Sequence, residues 1–335
     1  MESRTKRRVD GSELAALVRR GFGPDTRIDE WHELVDGHYN AAYAVRLHDG
    51  ADLVLKVAPP PDLVLLRHEV DLMRTEVELY RRAGAVGVAV PTVVRADFTR
   101  DLVGTDVVFL GRIDGVTLNR VRDDLTPAAL AAVRAEIAAQ VARLHTVTGP
   151  RYGYPLRDSR SWQSSWRGAF GAMVEDILAD ATRLGTDLPA TPDRIGALLR
   201  RHADALDAVD RPALVHFDLW DGNVMVRLDG VGGARVTGLI DGERALYGDP
   251  VAELVSLTLF RDLADEPAIL AGYAAAAPTP IVPTPGVRRR LALYTCYLYL
   301  IMLVEGATRG WSGPPHDERN ARVAALLDEQ LSRLA

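Results

Sequence analysis

The sequence predicts an α+β fold in two lobes, a small antiparallel β-sheet lobe followed by a larger, mostly helical one. The chain has 335 residues, more than the roughly 250 to 300 at which a single hydrophobic core stops growing. Residues 34–58, LVDGHYNAAYAVRLHDGADLVLKVA, alternate apolar and polar with the period of two that belongs to strands. Beyond Thr126 the apolar residues recur at spacings of three and four, the period of helices.

Within 34–58, His48-Asp49-Gly50 supplies a tight turn, so the segment reads as a three-stranded meander. Pro59-Pro60-Pro61-Asp62 breaks the last strand and reads as the cap of a helix. Its stripe is Leu66, Val70, Met73, Val77 and Tyr80, and it ends near Gly84. Residues 91–96 and 106–110 read as strands, and 111–115 as a connector rich in turn formers. The expected division is a small lobe over 1–115, with the connector at 110–115, and a helical lobe over 116–335. Thr126-Pro127 starts a helix that continues through 131–145 with Val133, Ile137, Val141 and Leu144 on one stripe. Further helices are expected at 164–184, 191–209, 250–263 and 287–308, with a proline-rich loop over 278–285. Residues 224–228 and 235–240 alternate about Asp229-Gly230-Val231-Gly232-Gly233 and read as a hairpin.

A net charge of -6 argues against a nucleic-acid partner, which would call for a basic face, and fits a neutral or cationic small molecule. Cys296 is the single cysteine, so the chain forms no internal disulfide and no thiolate metal cage; a reducing, cytoplasmic location is expected. Residues 1–14 are basic but lack the apolar segment of a signal peptide, and they read as a solvated tail. The apolar run 291–304 is about a third too short to span a bilayer, so no membrane partner is expected and the run reads as a buried helix. Lys6 and Lys56 are the two lysines among 40 basic residues. Lys6 falls in the tail, whereas Lys56 sits inside an apolar strand. The sequence does not fix an oligomeric state.

The chemistry concentrates in 214–223, LVHFDLWDGN, and 239–243, LIDGE. Asp218, Asn223 five residues on, a hairpin, and Asp241 at a strand end bring three oxygen-bearing side chains to one hairpin base. Phosphoryl transfer needs such a set. Asn223 and Asp241 would hold Mg together with donor phosphates, since Mg takes hard oxygens and keeps several waters. Asp218 would face the acceptor hydroxyl, orient it and take its proton. Lys56, held by Glu76, would reach the donor phosphates. His216 reads as a structural hydrogen-bonder. Each residue alone is weak, because an aspartate near a glycine is usually a turn or a cap; their order along the chain carries the reading.

On HFDLWDGNVMV (216–226) and LIDGERALYGDP (239–250), the chain resembles the aminoglycoside phosphotransferase and choline kinase-like family, small-molecule relatives of protein kinases, over about 34–310. The resemblance implies a bilobal, protein-kinase-like fold and a kinase using ATP or GTP. It implies Asp218 as the catalytic aspartate, Asn223 and Asp241 as Mg ligands, and Lys56 with Glu76 on the phosphate side. In 109–115, FLGRIDG, the Gly111 carbonyl and Ile113 amide would bind the adenine edge. Gly37, His38, Tyr39 and Asn40 would cover the phosphates, with one glycine where protein kinases have three. Phe217 stands where the family usually has glycine. The protein-kinase triplet His-Arg-Asp and the segment Ala-Pro-Glu are absent, so a protein substrate is not expected. For the acceptor, Asp221 and Glu243 could face a cationic molecule, and Trp162, Trp166 and Trp220 could stack on a sugar or base, with core packing as the alternative. The family implies antibiotics, amino sugars, fructosamines, choline and homoserine as acceptors. By analogy with that family, antibiotic resistance by O-phosphorylation is the first expectation and a metabolic small-molecule kinase the second; the Ala- and Arg-rich composition is one common in bacteria that make antibiotics. A nucleotide-binding regulator with decayed catalysis is the reading outside enzymes.

Overall fold

The structure is a computed structural model that describes residues 3–155, 159–230 and 232–335. The chain divides into two compact units, each assembled from separated stretches: 1–65, 91–113 and 306–312 in the first, and 66–90, 114–305 and 313–335 in the second.

The first unit contains helix α1 (Gly11–Phe22) and strands β1 (Ile28–Leu34), β2 (Ala41–Leu47) and β3 (Asp52–Val57). Its remaining strands, β4 (Val93–Asp97) and β5 (Val107–Gly111), lie beyond α2 (Leu72–Ala85) in sequence. The five strands form one antiparallel sheet in the order β1-β2-β3-β5-β4. The turn at 48–50 joins β2 to β3 as expected, with the Leu47 amide donating to the Ala51 carbonyl at 2.9 Å. Alternate residues Ala41, Tyr43, Val45 and Leu47 of β2 join Leu53, Leu55 and Val57 of β3 and Leu14, Leu17 and Val18 of α1 in one core.

Residues 3–14 are not a solvated tail. Ser3, Thr5 and Val9 are buried, and α1 begins at Gly11 behind a capping box in which Asp10 accepts from the Ser12 and Glu13 amides and Glu13 returns to the Asp10 amide. The basic run obscured that signal; Met1 and Glu2 lie outside the described residues. β1 also precedes the alternating window, because its residues are mostly exposed and carry little apolar contrast.

In the second unit α2 starts at Leu72, well beyond the expected cap at Asp62. The reason is local. The Glu69 carboxylate accepts from the Leu66 amide at 3.0 Å, and the Arg67 amide donates to Asp180 at 2.7 Å, so 66–71 is held as an irregular turn. After it come β6 (Val116–Thr117), α3 (Leu118–Val121), α4 (Pro127–Leu144), α5 (Trp166–Leu184), α6 (Pro192–Arg201) and β7 (Ala213–Val215). The chain continues through β8 (Val224–Leu228), β9 (Ala234–Leu239), β10 (Leu246–Gly248), α7 (Leu254–Leu257), α8 (Pro267–Ala276), α9 (Pro285–Arg309) and α10 (Pro314–Leu334). Thr126 caps α4 through the Ala129 amide, as its sequence predicts. Residues 191–209 and 250–263 are not single helices: α6 passes into a 3₁₀ turn over Ala203–Ala208, and a 3₁₀ turn over Pro250–Glu253 precedes α7.

β8 and β9 form the expected hairpin, with Val224 opposite Leu239 and Leu228 opposite Ala234; Val231 of its turn lies outside the described residues. β6 pairs with β8, and β7 pairs with β10. The core is built on α9, whose Leu293, Tyr294, Tyr297, Leu300 and Val304 pack with Phe170, Met173 and Ile177 of α5 and Val323 and Leu327 of α10. By length and composition α9 could cross a membrane, but 78% of its most apolar window is buried inside the protein.

Candidate active site

The hairpin sets the first distances. The Ile240 amide donates to the Asn223 carbonyl at 2.9 Å, so Asp241 leaves β9 beside Asn223. Asp241 takes a left-handed backbone, φ 64°. Its amide donates to the Tyr80 hydroxyl at 2.8 Å, and that hydroxyl donates to the fully buried Glu76 carboxylate at 2.7 Å. α2 thereby fixes the peptide that presents Asp241. At Gly242 a Cβ would lie 2.8 Å from Leu79, so the next residue must be small.

The loop after β7 is held from below. Glu253, buried at the end of the Gly-Asp-Pro turn, accepts from the His216 amide at 2.7 Å and the Phe217 amide at 2.9 Å, while Ser256 accepts from the Leu219 amide at 3.0 Å. Burial pushes the Glu253 carboxyl up, but the His145 ring 3.7 Å away and the two amides that donate to it outweigh this and hold it below its ordinary range. Phe217 has φ 65°, the left-handed conformation that glycine adopts at little cost, and its buried ring packs 5.9 Å from that of Tyr297. The His216 ring spans loop and hairpin: Nε2 donates to the Ile240 carbonyl at 3.0 Å and Nδ1 accepts from the Asp218 amide at 3.3 Å. Burial lowers its pKa, so the ring is a neutral structural link.

Asp218 sits where these supports converge. The Asn223 Nδ2 donates to the Asp218 carbonyl at 2.8 Å and to Oδ2 at 3.3 Å, which leaves the amide oxygen for a cation. Burial raises the Asp218 pKa to about 7; Arg244 opposes the shift, and Asp241, Glu305 and Glu253 reinforce it. The Arg244 Nε lies 3.8 Å from Asp218 Oδ2, and its other end donates to Glu305 at 2.6 Å, which also accepts from Arg319 at 2.7 Å. Burial alone would lower the Arg244 pKa, yet Asp218 and Glu305 keep the guanidinium protonated. A carboxylate poised near neutrality beside a fixed cation can orient a hydroxyl and receive its proton.

Among the described residues no group of three or more His, Cys, Asp or Glu could hold a metal ion. Asn223 and Asp241 offer two hard oxygens, a donor set that fits a cation completing its octahedron with water and phosphate oxygens, as Mg does.

Lys56, 8% exposed, lies in β3 opposite Ala42 and Val108. Gly37, His38, Tyr39 and Asn40 connect β1 to β2, with Tyr39 and Asn40 buried. Gly111 ends β5, its amide donating to Thr92 at 2.8 Å, and Ile113 follows two residues later. Trp166 is core and not an acceptor contact: it is buried, Nε1 donates to the Tyr294 hydroxyl at 2.7 Å, and its ring fills the space a Cβ on Gly248 would need. Asp221 does not face a cationic acceptor. Arg134 grips both its oxygens, Arg122 and Arg261 approach at 3.3 and 3.5 Å, and although burial pushes its carboxyl up these cations hold it below its ordinary range. Glu243 is buried, and Trp162 is partly buried against Tyr247. Trp220 is 38% exposed, and its ring covers Gly222. The sequence reading missed Glu253, Arg244 and Tyr80. Arg244 and Glu253 stand in and just after 239–250, but nothing local marks one arginine among many or shows that a carboxylate turns inward.

The model of the phosphotransferase enzyme family matches residues 30–294. A protein named as a probable ketoamine kinase of Lactiplantibacillus plantarum is 26% identical over 284 residues, 84% of this chain and 90% of that one. A solved structure provisionally identified as a fructosamine-3-kinase of Thermobifida fusca has a TM-score of 0.64 at 23% identity, covering 94% of this chain and 98% of its own. Another, provisionally identified as an aminoglycoside phosphotransferase of Ralstonia eutropha, has a TM-score of 0.68 at 15% identity over 98% of each chain. At those identities the two structures establish the fold, the protein-kinase-like α+β class expected from the sequence.

Proposed function

The chain belongs to the phosphotransferase enzyme family, and from that premise we propose that it transfers the γ-phosphoryl group of ATP or GTP to a hydroxyl of a small, sugar-derived acceptor of the ketoamine kind. The observation that carries the reading is the convergence of Asp218, Asn223 and the residue leaving β9, Asp241, at one hairpin base. Asp218 orients the acceptor hydroxyl and takes its proton as the oxygen–phosphorus bond forms. Transfer of this kind is loose and largely dissociative, so positioning outweighs base strength. Asn223 and Asp241 would hold magnesium, which when bound neutralises charge on the donor phosphates. Arg244 balances the charge of ionised Asp218. Lys56 and the loop 37–40 are proposed to meet the donor, with Gly111 and Ile113 at its base. A cytoplasmic location belongs to the same proposal.

For the acceptor, the likeness to a ketoamine kinase over most of both chains supports a glycated amine. The exposed Trp220 suits a sugar ring, while Asp221, its charge balanced by Arg134, withdraws one anchor expected for a polycationic antibiotic. The test is an incubation with Mg and ATP or GTP against fructosamines, aminoglycosides and macrolides, with the added phosphate read by mass. A phosphorylated fructosamine is expected, lost in Asp218→Asn and Asp241→Ala. Phosphorylation of an antibiotic alone would transfer the acceptor class, and nucleotide binding with no transfer to any compound would leave a regulator.

A further inference from the structure

One of the two lysines has no part in the site above. Lys6 belongs to the segment Ser3–Lys6, which lies along the connection between β1 and β2. Lys6 Nζ donates to the Val35 carbonyl at 3.3 Å and lies 4.0 Å from Glu33, with its side chain 6% exposed. The fully buried Thr5 hydroxyl reaches the Tyr39 carbonyl at 2.9 Å and the His38 carbonyl at 3.2 Å. Because that hydrogen is committed to the carbonyls, Ser3 Oγ, 2.8 Å from Thr5 Oγ1, is the donor of the pair. The Arg4 amide in turn donates to the Arg309 carbonyl at 3.0 Å. Arg309 stacks over the Tyr39 ring at 4.6 Å, and the His38 and Trp311 rings meet edge to face at 5.4 Å. Gly310, φ 68°, is where a Cβ would collide with the Arg4 side chain.

The consequence follows from peptide geometry. A planar trans peptide carries its C=O and the following N–H in opposite directions. Three carbonyls of this connection, those of Val35, His38 and Tyr39, are drawn toward Ser3–Lys6. The amides of Asp36, Tyr39 and Asn40, in the same three peptides, are therefore turned to the other side. Of these, the Tyr39 and Asn40 amides are successive, and successive amides turned to one side form an anion-binding concavity, which a glycine-rich loop reaches through its own backbone freedom. This connection has a single glycine, Gly37.

We propose that Ser3–Lys6 is a strap that fixes the peptide orientation of 35–40 for the donor phosphates, with Thr5 and Lys6 as positioning residues. The proposal rests on the phosphotransferase reading. Its test combines Mg·ATP and Mg·GTP titrations by calorimetry with hydrogen exchange of the nucleotide-free chain, for the wild type, Thr5→Val, Thr5→Ser, Lys6→Met and Lys6→Arg. Thr5→Val and Lys6→Met should each weaken nucleotide binding roughly threefold to tenfold, the share of one backbone hydrogen bond, and speed exchange within 35–40 but not in β2 or β3. Thr5→Ser and Lys6→Arg should stay within about twofold of wild type, because each keeps its donor. Val9→Ala, which thins the same core without touching the connection, should lower the unfolding midpoint and leave nucleotide affinity unchanged. Wild-type affinity in both Thr5→Val and Lys6→Met, or weakened affinity without faster exchange at 35–40, overturns the strap. Failure of the wild-type chain to bind either nucleotide is a separate result: it removes the phosphotransferase reading, and the strap's stated purpose with it.

Discussion

Asp218 holds its carboxyl where burial, reinforced by the Asp241, Glu305 and Glu253 carboxylates, raises its pKa to about 7 from an ordinary 3.8. Two consequences have opposite signs. For activity, the ionised form is the one that takes a proton, so kcat/KM should climb with pH along a limb centred near 7 in the free enzyme. Asp218→Asn should cost roughly 10² to 10⁴ in turnover while nucleotide affinity persists. For stability, the folded chain holds this proton more tightly than the unfolded chain, so the contribution of Asp218 to stability falls as pH rises from about 4 to about 7 and is flat above. Asp218→Asn should therefore unfold at a higher temperature than wild type at pH 8, by a margin that shrinks toward pH 5; equal margins at both pH values would refute the assigned shift. Phe217, one residue earlier, answers a different question. A left-handed backbone costs a non-glycine residue about 1 to 2 kcal/mol, whereas loss of a buried phenylalanine ring costs about 3 to 5 kcal/mol. Phe217→Gly should accordingly destabilise by about 1 to 4 kcal/mol in urea unfolding, despite the ease with which glycine adopts that backbone. The sequence exposed the conflict at Phe217 but not its resolution, because Glu253 and Tyr297, which hold its amide and ring, lie far along the chain.

The elements most legible in the sequence are those whose cause is local. α4 and α5 start at a threonine and a serine cap, and β8 and β9 are fixed by alternation on either side of a glycine-rich turn. α2 was displaced because Glu69 and Asp180 capture the backbone that would have been its first turn. The 3₁₀ turn at Pro250–Glu253 shows no periodicity at all, yet it sets the loop that carries Asp218. Its Glu253 accepts two amides and approaches His145 at 3.7 Å. Glu253→Ala would leave two buried amides unpaired, at about 1 to 3 kcal/mol each, and would release the 216–217 peptides from the 3₁₀ turn. The expected outcome is a lower kcat with a smaller change in nucleotide KM, since the proposed donor contacts, Lys56 and 37–40, lie outside this loop. Glu253→Gln, with one acceptor oxygen in place of two, should fall between Ala and wild type. Steady-state rates against both substrates check the order, and equal effects on kcat and nucleotide KM would remove the positioning role.

At the scale of the whole molecule, the grouping of 66–90 with the second unit and 306–312 with the first comes from contacts distant in sequence, and no pattern inside either stretch encodes it. What the sequence did carry was the apolar run of α9, 291–304, which reads as a buried helix and is one. Its role as the axis of the second core makes a quantitative claim. Leu300 is fully buried among side chains of that core, so Leu300→Ala removes its transfer energy and leaves a cavity that rigid neighbours only partly fill, at about 2 to 5 kcal/mol. Leu102, in the first unit, is 42% exposed, and its truncation should stay within about 0.5 kcal/mol. Urea unfolding followed by tryptophan fluorescence reports on this core, because Trp166 is buried in it. A midpoint shift for Leu300→Ala no larger than that for Leu102→Ala would mean that α9 is peripheral. Catalytic geometry should follow stability here: Glu305, which pairs with Arg244 beside Asp218, rides on the same helix one turn beyond Ile301, so a loosened α9 should lower turnover before the chain unfolds.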